Sequence, residues 1–235
     1  MRKRGVTLLE VLIAVTLLSL LSVAMFMAMR IGLNSYAKAD TRLMDNRRVA
    51  GAQRIVEDEI EGMIPVMATC IGAAGGRGPR IPFFQGESDV MRLVSAYSLQ
   101  GAWRGQPQIL ELFVTPGENG RGVRLVVNET LYTGPLGAGR FCTGPRQFIP
   151  VNAGALSFVL ADKLAYCRFA YLMPVASPGQ APEWKPIWTA QRWPLAVRID
   201  MAPLEADPSR VQPITVVAPV RLHRDPEIRY EDLQY

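Results

Sequence analysis

Hydrophobic and polar positions divide the chain into three parts. Residues 6–29 form an apolar run without Pro or Gly and with a single charge, Glu10. From Arg30 to Met63 apolar residues recur at several three- or four-residue steps between charges, which predicts one long helix continuing out of the run. Gly62 and Pro65 end this pattern.

The rest of the chain has the pattern of β structure. Apolar or alternating runs predict strands, and Gly/Pro-rich breaks such as GAAGGRGPR and TPGENGRG separate them. The predicted strands are Val90–Ser95, Ile109–Thr115, Val123–Asn128, Ala155–Leu160, Leu164–Leu172, Leu195–Met201 and Ile214–Val220. A helix followed by many strands predicts an α+β fold, with the sheet packed on the second half of the helix.

The apolar run is long enough to cross a membrane. Its 24 residues would span roughly 36 Å as a helix, whereas the apolar region of a cleaved secretory signal is usually about 7–15 residues. Arg2, Lys3 and Arg4 precede it, so the positive-inside rule predicts a cytoplasmic amino terminus and an external head.

Charge and composition exclude some classes of function. The net charge is +5, but Arg2, Lys3 and Arg4 supply three of these charges, and no basic cluster is present elsewhere. This argues against nucleic-acid binding. The acidic stretch Glu57–Glu61 is predicted to form the solvated face of the helix rather than a metal site.

Glu10 is the position that an inert anchor leaves unexplained. A carboxylate costs on the order of 2.5–3.5 kcal/mol at the centre of a membrane helix and less near its end. The helix dipole favours a negative charge in the first turn, which would make Glu10 merely an interfacial residue. That reading does not account for Gly5 or for the spacing from Gly5 to Glu10.

The segment KRGVTLLEVLIAVTLL resembles the prepilin cleavage and methylation signature: a short basic leader ending in Gly, a hydrophobic residue, and Glu at the fifth mature position. The resemblance implies that prepilin peptidase cuts between Gly5 and Val6, and that Val6, where Phe is usual, becomes N-methylated. It implies that Glu10 pairs with the terminal amine of a neighbouring subunit during filament assembly. It also implies a pilin-like fold, with a long N-terminal helix packed against a β-rich head.

Two further segments resemble J-type minor pseudopilins of type II secretion systems. They are RRVAGAQRIVEDEIEGM in the long helix, and LAYCRFAYLM followed by EWKPIWTAQRWPLAVRIDM, which is similar to a paired-Trp segment with Trp184 and Trp188. Residues 96–150 match poorly. The resemblance implies I-type and K-type minor pseudopilins and the major pseudopilin as partners, in a pseudopilus tip complex. The alternatives are a minor pilin of a type IV pilus or DNA-uptake filament, and a membrane-anchored periplasmic enzyme or binding domain.

The domains predicted on this basis are a leader (1–5), a transmembrane helix (6–29), the periplasmic half of the long helix (30–63) and a β-rich head (64–235). The protein is expected in the bacterial inner membrane, single-pass, with its head in the periplasm. We expect no enzymatic activity, cofactor or metal, since Glu87, Ser88 and Asp89 have no local base partner and Asp200 lies in no calcium loop.

Three cysteines would face an oxidising compartment. Cys70 and Cys142 lie in loop-like stretches and are the candidate disulfide, whereas Cys167 sits inside a strand pattern, where a buried free thiol is expected. One pair among three cysteines leaves three possible pairings.

Overall fold

The structure is a computed structural model, and it describes residues 7–72, 75–99, 104–174, 179, 181–204 and 214–221. Side chains of residues 41–50, 104 and 214 are not described. The chain divides into two compact units, Met1–Arg47 and Arg48–Tyr235. A long N-terminal apolar helix followed by a β-rich head confirms the predicted α+β, pilin-like fold class.

One long helix, α1, runs from Leu8 to Glu61, followed by the strands of the head. A short helix, α2, spans Pro135–Ala138. The strands are β1 (Met67–Ile71), β2 (Arg77–Pro82), β3 (Gln85–Gly86), β4 (Val90–Tyr97), β5 (Arg104–Pro116), β6 (Val123–Leu131), β7 (Cys142–Gly144), β8 (Gln147–Phe148), β9 (Phe158–Leu172), β10 (Trp184–Lys185), β11 (Ala196–Pro203) and β12 (Ile214–Pro219).

Eight of these strands form the main antiparallel sheet, in the order β12-β11-β9-β6-β5-β4-β3, with β10 also paired to β9. The remaining described strands form two hairpins, β1–β2 and β7–β8. Ala155–Leu160 and Leu164–Leu172 were predicted as separate strands, which is wrong because β9 is continuous from Phe158. Lys163 has φ 55° and the pairing register shifts nearby, so a bulge interrupts the alternation without ending the strand.

The carboxyl-terminal turns of α1 bury one face in the larger of two cores. Ala52, Val56, Ile60 and Met63 are each at most 5% exposed and pack with side chains of the sheet. Their spacing of three and four residues is the predicted apolar pattern. Leu33 and Tyr36, which belong to the same pattern, are exposed.

The helix ends beside the ring of Tyr97, which leaves room only for a glycine at position 62. A Cβ added to Gly62 would lie 2.2 Å from the ring of Tyr97, so no larger residue fits without displacing that ring. The carbonyl of Gly62 accepts a hydrogen bond from Ala96 N–H, which ties the end of α1 to β4.

A second core lies under β1, α2 and β7 and includes Ala68, Cys70, Phe83, Ile109 and Cys142. Beside it, the nearly inaccessible Arg92 of β4 pairs with Glu111 of β5, with Nη2 to Oε1 at 2.6 Å. Arg92 also donates to the carbonyl of Ile149 and lies over the ring of Phe148. Burial lowers the pKa of Arg92, and Glu111 opposes that shift.

Glu59 departs from the predicted solvated acidic face. It is 4% exposed because it lies next to Ile60 on the packed side of α1, where the Ser95 hydroxyl of β4 hydrogen-bonds its carboxyl group. Among the described residues no group bonds its Oε2 atom. Burial, with smaller contributions from Glu129 and Asp58, raises the pKa of Glu59 to about 7.

We therefore predict that Glu59 makes the head less stable as the pH rises. The folded state holds its proton more tightly than the unfolded state, so the associated stability is present below pH ~4.5 and is lost as the pH rises to about 7. The loss is up to about 3 kcal/mol. Glu59→Gln should remove this pH dependence and raise the melting temperature at pH 8, as followed by tryptophan fluorescence.

Glu57→Gln, two residues away and half-buried, is the matched control. It should retain the pH profile of the wild type. A Glu59→Gln profile that follows the wild type from pH 4.5 to 8 would contradict the assignment.

Candidate functional site: the amino-terminal helix

The first turn of α1 is capped by Thr7, which was not among the predicted functional positions. Thr7 immediately precedes Leu8, and the N–H of Glu10 approaches both the carbonyl of Thr7, at 3.0 Å, and its Oγ1, at 3.4 Å. This is the N-cap position, with Glu10 at the third helical residue. The spacing Thr-x-x-Glu before an apolar run is the capping-box signature and could have identified Thr7 from the sequence.

The hydroxyl groups within the apolar run are satisfied inside the helix. Thr16 Oγ1 donates to the carbonyl of Ile13 at 2.9 Å, Ser19 Oγ to Thr16 at 2.8 Å, and Ser22 Oγ to Leu18 at 2.8 Å. A side chain that bonds its own backbone needs no other partner in an apolar surrounding. These three residues are therefore compatible with lipid.

Glu10 differs from these hydroxyls. Its side chain is exposed, and within the described part of the chain its carboxylate has no hydrogen-bond or ion-pair partner. A carboxylate in an apolar helix is costly unless it is neutralised or paired. Among the described polar side chains of residues 7–22, Glu10 is thus the one whose side-chain polar group is not bonded within the helix.

The apolar side chains around Glu10 are also uncovered. All described side chains from Thr7 to Asp40 are exposed, including Leu12, Leu17 and Phe26. Among the described residues, Leu8–Asp40 is the one helical stretch that is long and apolar enough to cross a membrane. The single apolar helix is thus compatible with a membrane anchor.

Gly5 and Val6, the predicted cleavage and methylation positions, lie outside the described residues. In the head, Cys70 and Cys142 form a disulfide that joins β1 to β7, and Cys167 is free and buried. Burial and the nearby Asp200 raise the pKa of Cys167 to about 12, so its thiol stays protonated.

The head residues considered as metal ligands or as a ligand-binding aromatic surface have structural roles in the described part of the chain. Asp200 Oδ2 accepts from Arg198 at 3.0 Å and its Oδ1 accepts from Thr215 at 2.8 Å. Trp188 and Trp193 belong to the larger core. No three His, Cys, Asp or Glu side chains of the described ranges lie together as a metal site.

The amino-terminal segment matches a known family model. Residues 1–26 match the family model described as the prokaryotic N-terminal methylation motif. This motif indicates a prepilin-type protein. No curated protein matches the chain. A motif of this kind is typical of a structural subunit of a pilin-like filament.

Processing of the leader provides a direct test. Gly5→Leu should leave the leader on the protein, because the peptidase is expected to accept little beyond Gly or Ala before the cut. The wild type should begin at Val6 in cells that contain prepilin peptidase. Mass spectrometry of the membrane-extracted protein measures both forms, and a wild-type amino terminus at Met1 would contradict the predicted cleavage.

Proposed function

We propose that the chain is a J-type minor pseudopilin of a type II secretion system and helps to start or cap the pseudopilus. The observation that carries the assembly role is Glu10, which is exposed and without a partner among the described residues, while the rest of the segment Leu8–Met29 is apolar or internally bonded. The similarity of the Trp184–Trp188 region and of the second half of α1 to J-type proteins supports the subfamily.

The pairing partner that we propose for Glu10 is the terminal amine of a neighbouring subunit. Cleavage after Gly5 creates this amine, whose reference pKa of about 7.7–8.0 leaves it largely cationic at neutral pH. Two opposite charges in lipid are each costly alone, and pairing reduces the cost of both. The pair also fixes the axial position of one helix against the next, which sets the register of an incoming subunit.

The head offers a surface for lateral contact beside the end of α1. Ile55 is an exposed apolar residue on this helix, and Val217 is half-exposed on β12, a strand at the border of the described sheet. Arg221 Nη2 lies 3.5 Å from Glu61 Oε1, so the end of β12 is next to the end of α1. We propose that the I-type partner contacts the head at two exposed features of this region, Ile55 on α1 and the border strand β12.

Removal of the Glu10 carboxylate tests its proposed role in assembly. Glu10→Ala should leave leader cleavage and membrane insertion intact, since neither needs the carboxylate. It should reduce the fraction of subunit recovered in sheared filaments by about tenfold, because the partner amine stays unpaired in lipid. Immunoblotting of filament and membrane fractions measures this ratio.

Ser19→Ala is the control for this experiment, because it removes a polar group from the same helix that bonds only the backbone. It should assemble like the wild type. Equal incorporation of Glu10→Ala and wild type would remove the proposed role of Glu10.

The second prediction concerns partners. The full chain, co-expressed with the I-type and K-type minor pseudopilins of its own genome and extracted in detergent, should copurify with them as a heteromer. Ile55→Glu should weaken this copurification by about tenfold or more, because it places a charge in an apolar contact. Leu136→Glu, an equally drastic change at an exposed residue of α2, should not.

The alternatives predict different outcomes. Copurification with minor pilins of a type IV or DNA-uptake system, and not with the secretion proteins, would favour the pilus assignment. Binding to neither set, together with a measured hydrolytic or ligand-binding activity of the head, would favour a membrane-anchored enzyme or binding domain.

A further inference from the structure

A cavity of about 240 Å³ lies beside the border strand β3 of the main sheet. Its walls come from the β3–β4 turn, the β7–β8 turn and the segment 187–191. This volume is below the roughly 300–1,000 Å³ that is common for pockets of drug-sized ligands. It therefore suits a single side chain better than a cofactor.

The inner wall of the cavity is aromatic. Phe84 and Trp188 line it, each 6% exposed, with ring centroids 6.2 Å apart and planes at 90°. Tyr171 packs edge-on against both rings, so their orientation is fixed. Trp188 Nε1 donates to the carbonyl of Arg192 at 2.7 Å, which holds the indole further. The inner wall is therefore a rigid aromatic surface.

Two carboxylates at the rim stand on a rigid turn. The carbonyls of Glu87, Ser88 and Asp89 accept hydrogen bonds from Tyr171 Oη at 2.8 Å, Phe169 N–H at 2.9 Å and Val114 N–H at 2.9 Å. The backbone of this exposed turn is thus attached to two other strands. A turn fixed in this way holds the backbone positions of Glu87 and Asp89 in place before any ligand arrives.

The Glu87 side chain is positioned as well. Its Oε1 accepts a hydrogen bond from Gln85 Nε2 at 2.7 Å, and Gln85 Oε1 accepts from the buried Arg92. Gln85 therefore connects the rim carboxylate to the Arg92–Glu111 pair. Only one of the two Glu87 oxygens is used by these contacts.

The charge of the cavity is net negative. Its lining includes the carboxylates of Glu87 and Asp89 and one guanidinium, that of Arg146 on the β7–β8 turn. Within the described part of the chain, neither carboxylate forms an ion pair. A rigid apolar wall beside two carboxylates that form no ion pair is complementary to a basic side chain, which carries an apolar stem and a charged end.

We propose that this cavity binds the basic side chain, Arg or Lys, of a partner protein. Exposed Ile187 and Pro145 lie at the rim and offer apolar contact around the bound charge, as a protein interface requires and a free ion does not. The proposal is independent of which filament the chain belongs to.

The test is a titration of the full chain in detergent micelles, observed through tryptophan indole NMR signals, with Trp188→Phe to assign the signal of Trp188. The probes are N-acetyl-arginine amide and N-acetyl-norleucine amide, which differ chiefly in charge. The arginine probe should shift the Trp188 signal in a saturable way, and the norleucine probe should bind at least about tenfold more weakly.

Charge variants locate the binding group. The double variant Glu87→Gln, Asp89→Asn should weaken the arginine probe by about tenfold, and Arg146→Ala should strengthen it by removing a like charge. Glu183→Gln, an exposed carboxylate outside the lining, should have no effect. Unchanged melting temperatures show that the variants remain folded.

Three results would overturn the proposal. One is equal binding of the two probes, and another is an arginine affinity that the double variant leaves unchanged. The third is putrescine binding at least about tenfold more tightly than the arginine probe, which would assign the cavity to a free cationic solute. None of these measurements involves filament assembly, so failure here and failure of the pseudopilin assignment are separate results.

Discussion

The head depends on burial of one face of the last turns of α1 against the main sheet. Ala52, Val56, Ile60 and Met63 supply that face, and strands β4, β5, β6, β9, β11 and β12 supply the opposite side of the same core. Burying a large apolar side chain contributes about 1.5–3 kcal/mol, so these contacts dominate any single polar interaction in the region. Glu59 lies on the same face and is buried at a cost in desolvation free energy. Rotating α1 to expose Glu59 would also move Ile60 out of the core.

Polar side chains in the two halves of α1 are hydrogen-bonded in different ways. In residues 8–22 the hydroxyl groups of Thr16, Ser19 and Ser22 bond the helix backbone. Glu10 is the remaining polar side chain of this segment and has no partner among the described residues. In the last turns, by contrast, the polar Glu59 is buried and bonded to Ser95 of the sheet. Glu10 can be paired by a group of another molecule. The fold itself supplies a hydrogen bond to the Glu59 carboxyl group from Ser95, but none to its Oε2 atom from the described residues.

The opposite side of the sheet is organised by a buried charge network and a disulfide. Cys70–Cys142 joins β1 to β7, and Arg92 reaches from β4 to Glu111 and to the carbonyl of Ile149. Breaking a buried ion pair by removing one partner commonly costs about 3–5 kcal/mol, which makes Arg92 a position where substitution is poorly tolerated. Through Gln85 the same network holds Glu87 at the rim of the cavity, so the geometry of that cavity depends on contacts made well inside the head.

The sequence by itself determined the long helix, the class of fold, most central strands and the position of Glu10, because these follow from local periodicity and composition. Only the tertiary structure decided that Glu59 is buried, that β9 continues through a bulge at Lys163, and that β3, β7, β8 and β10 exist as very short strands. It also brought Trp188 to the cavity beside Phe84, Glu87 and Asp89, from which it is separated by about a hundred positions in the chain. Such features depend on which elements face each other, and no local pattern of residues encodes a contact between distant segments.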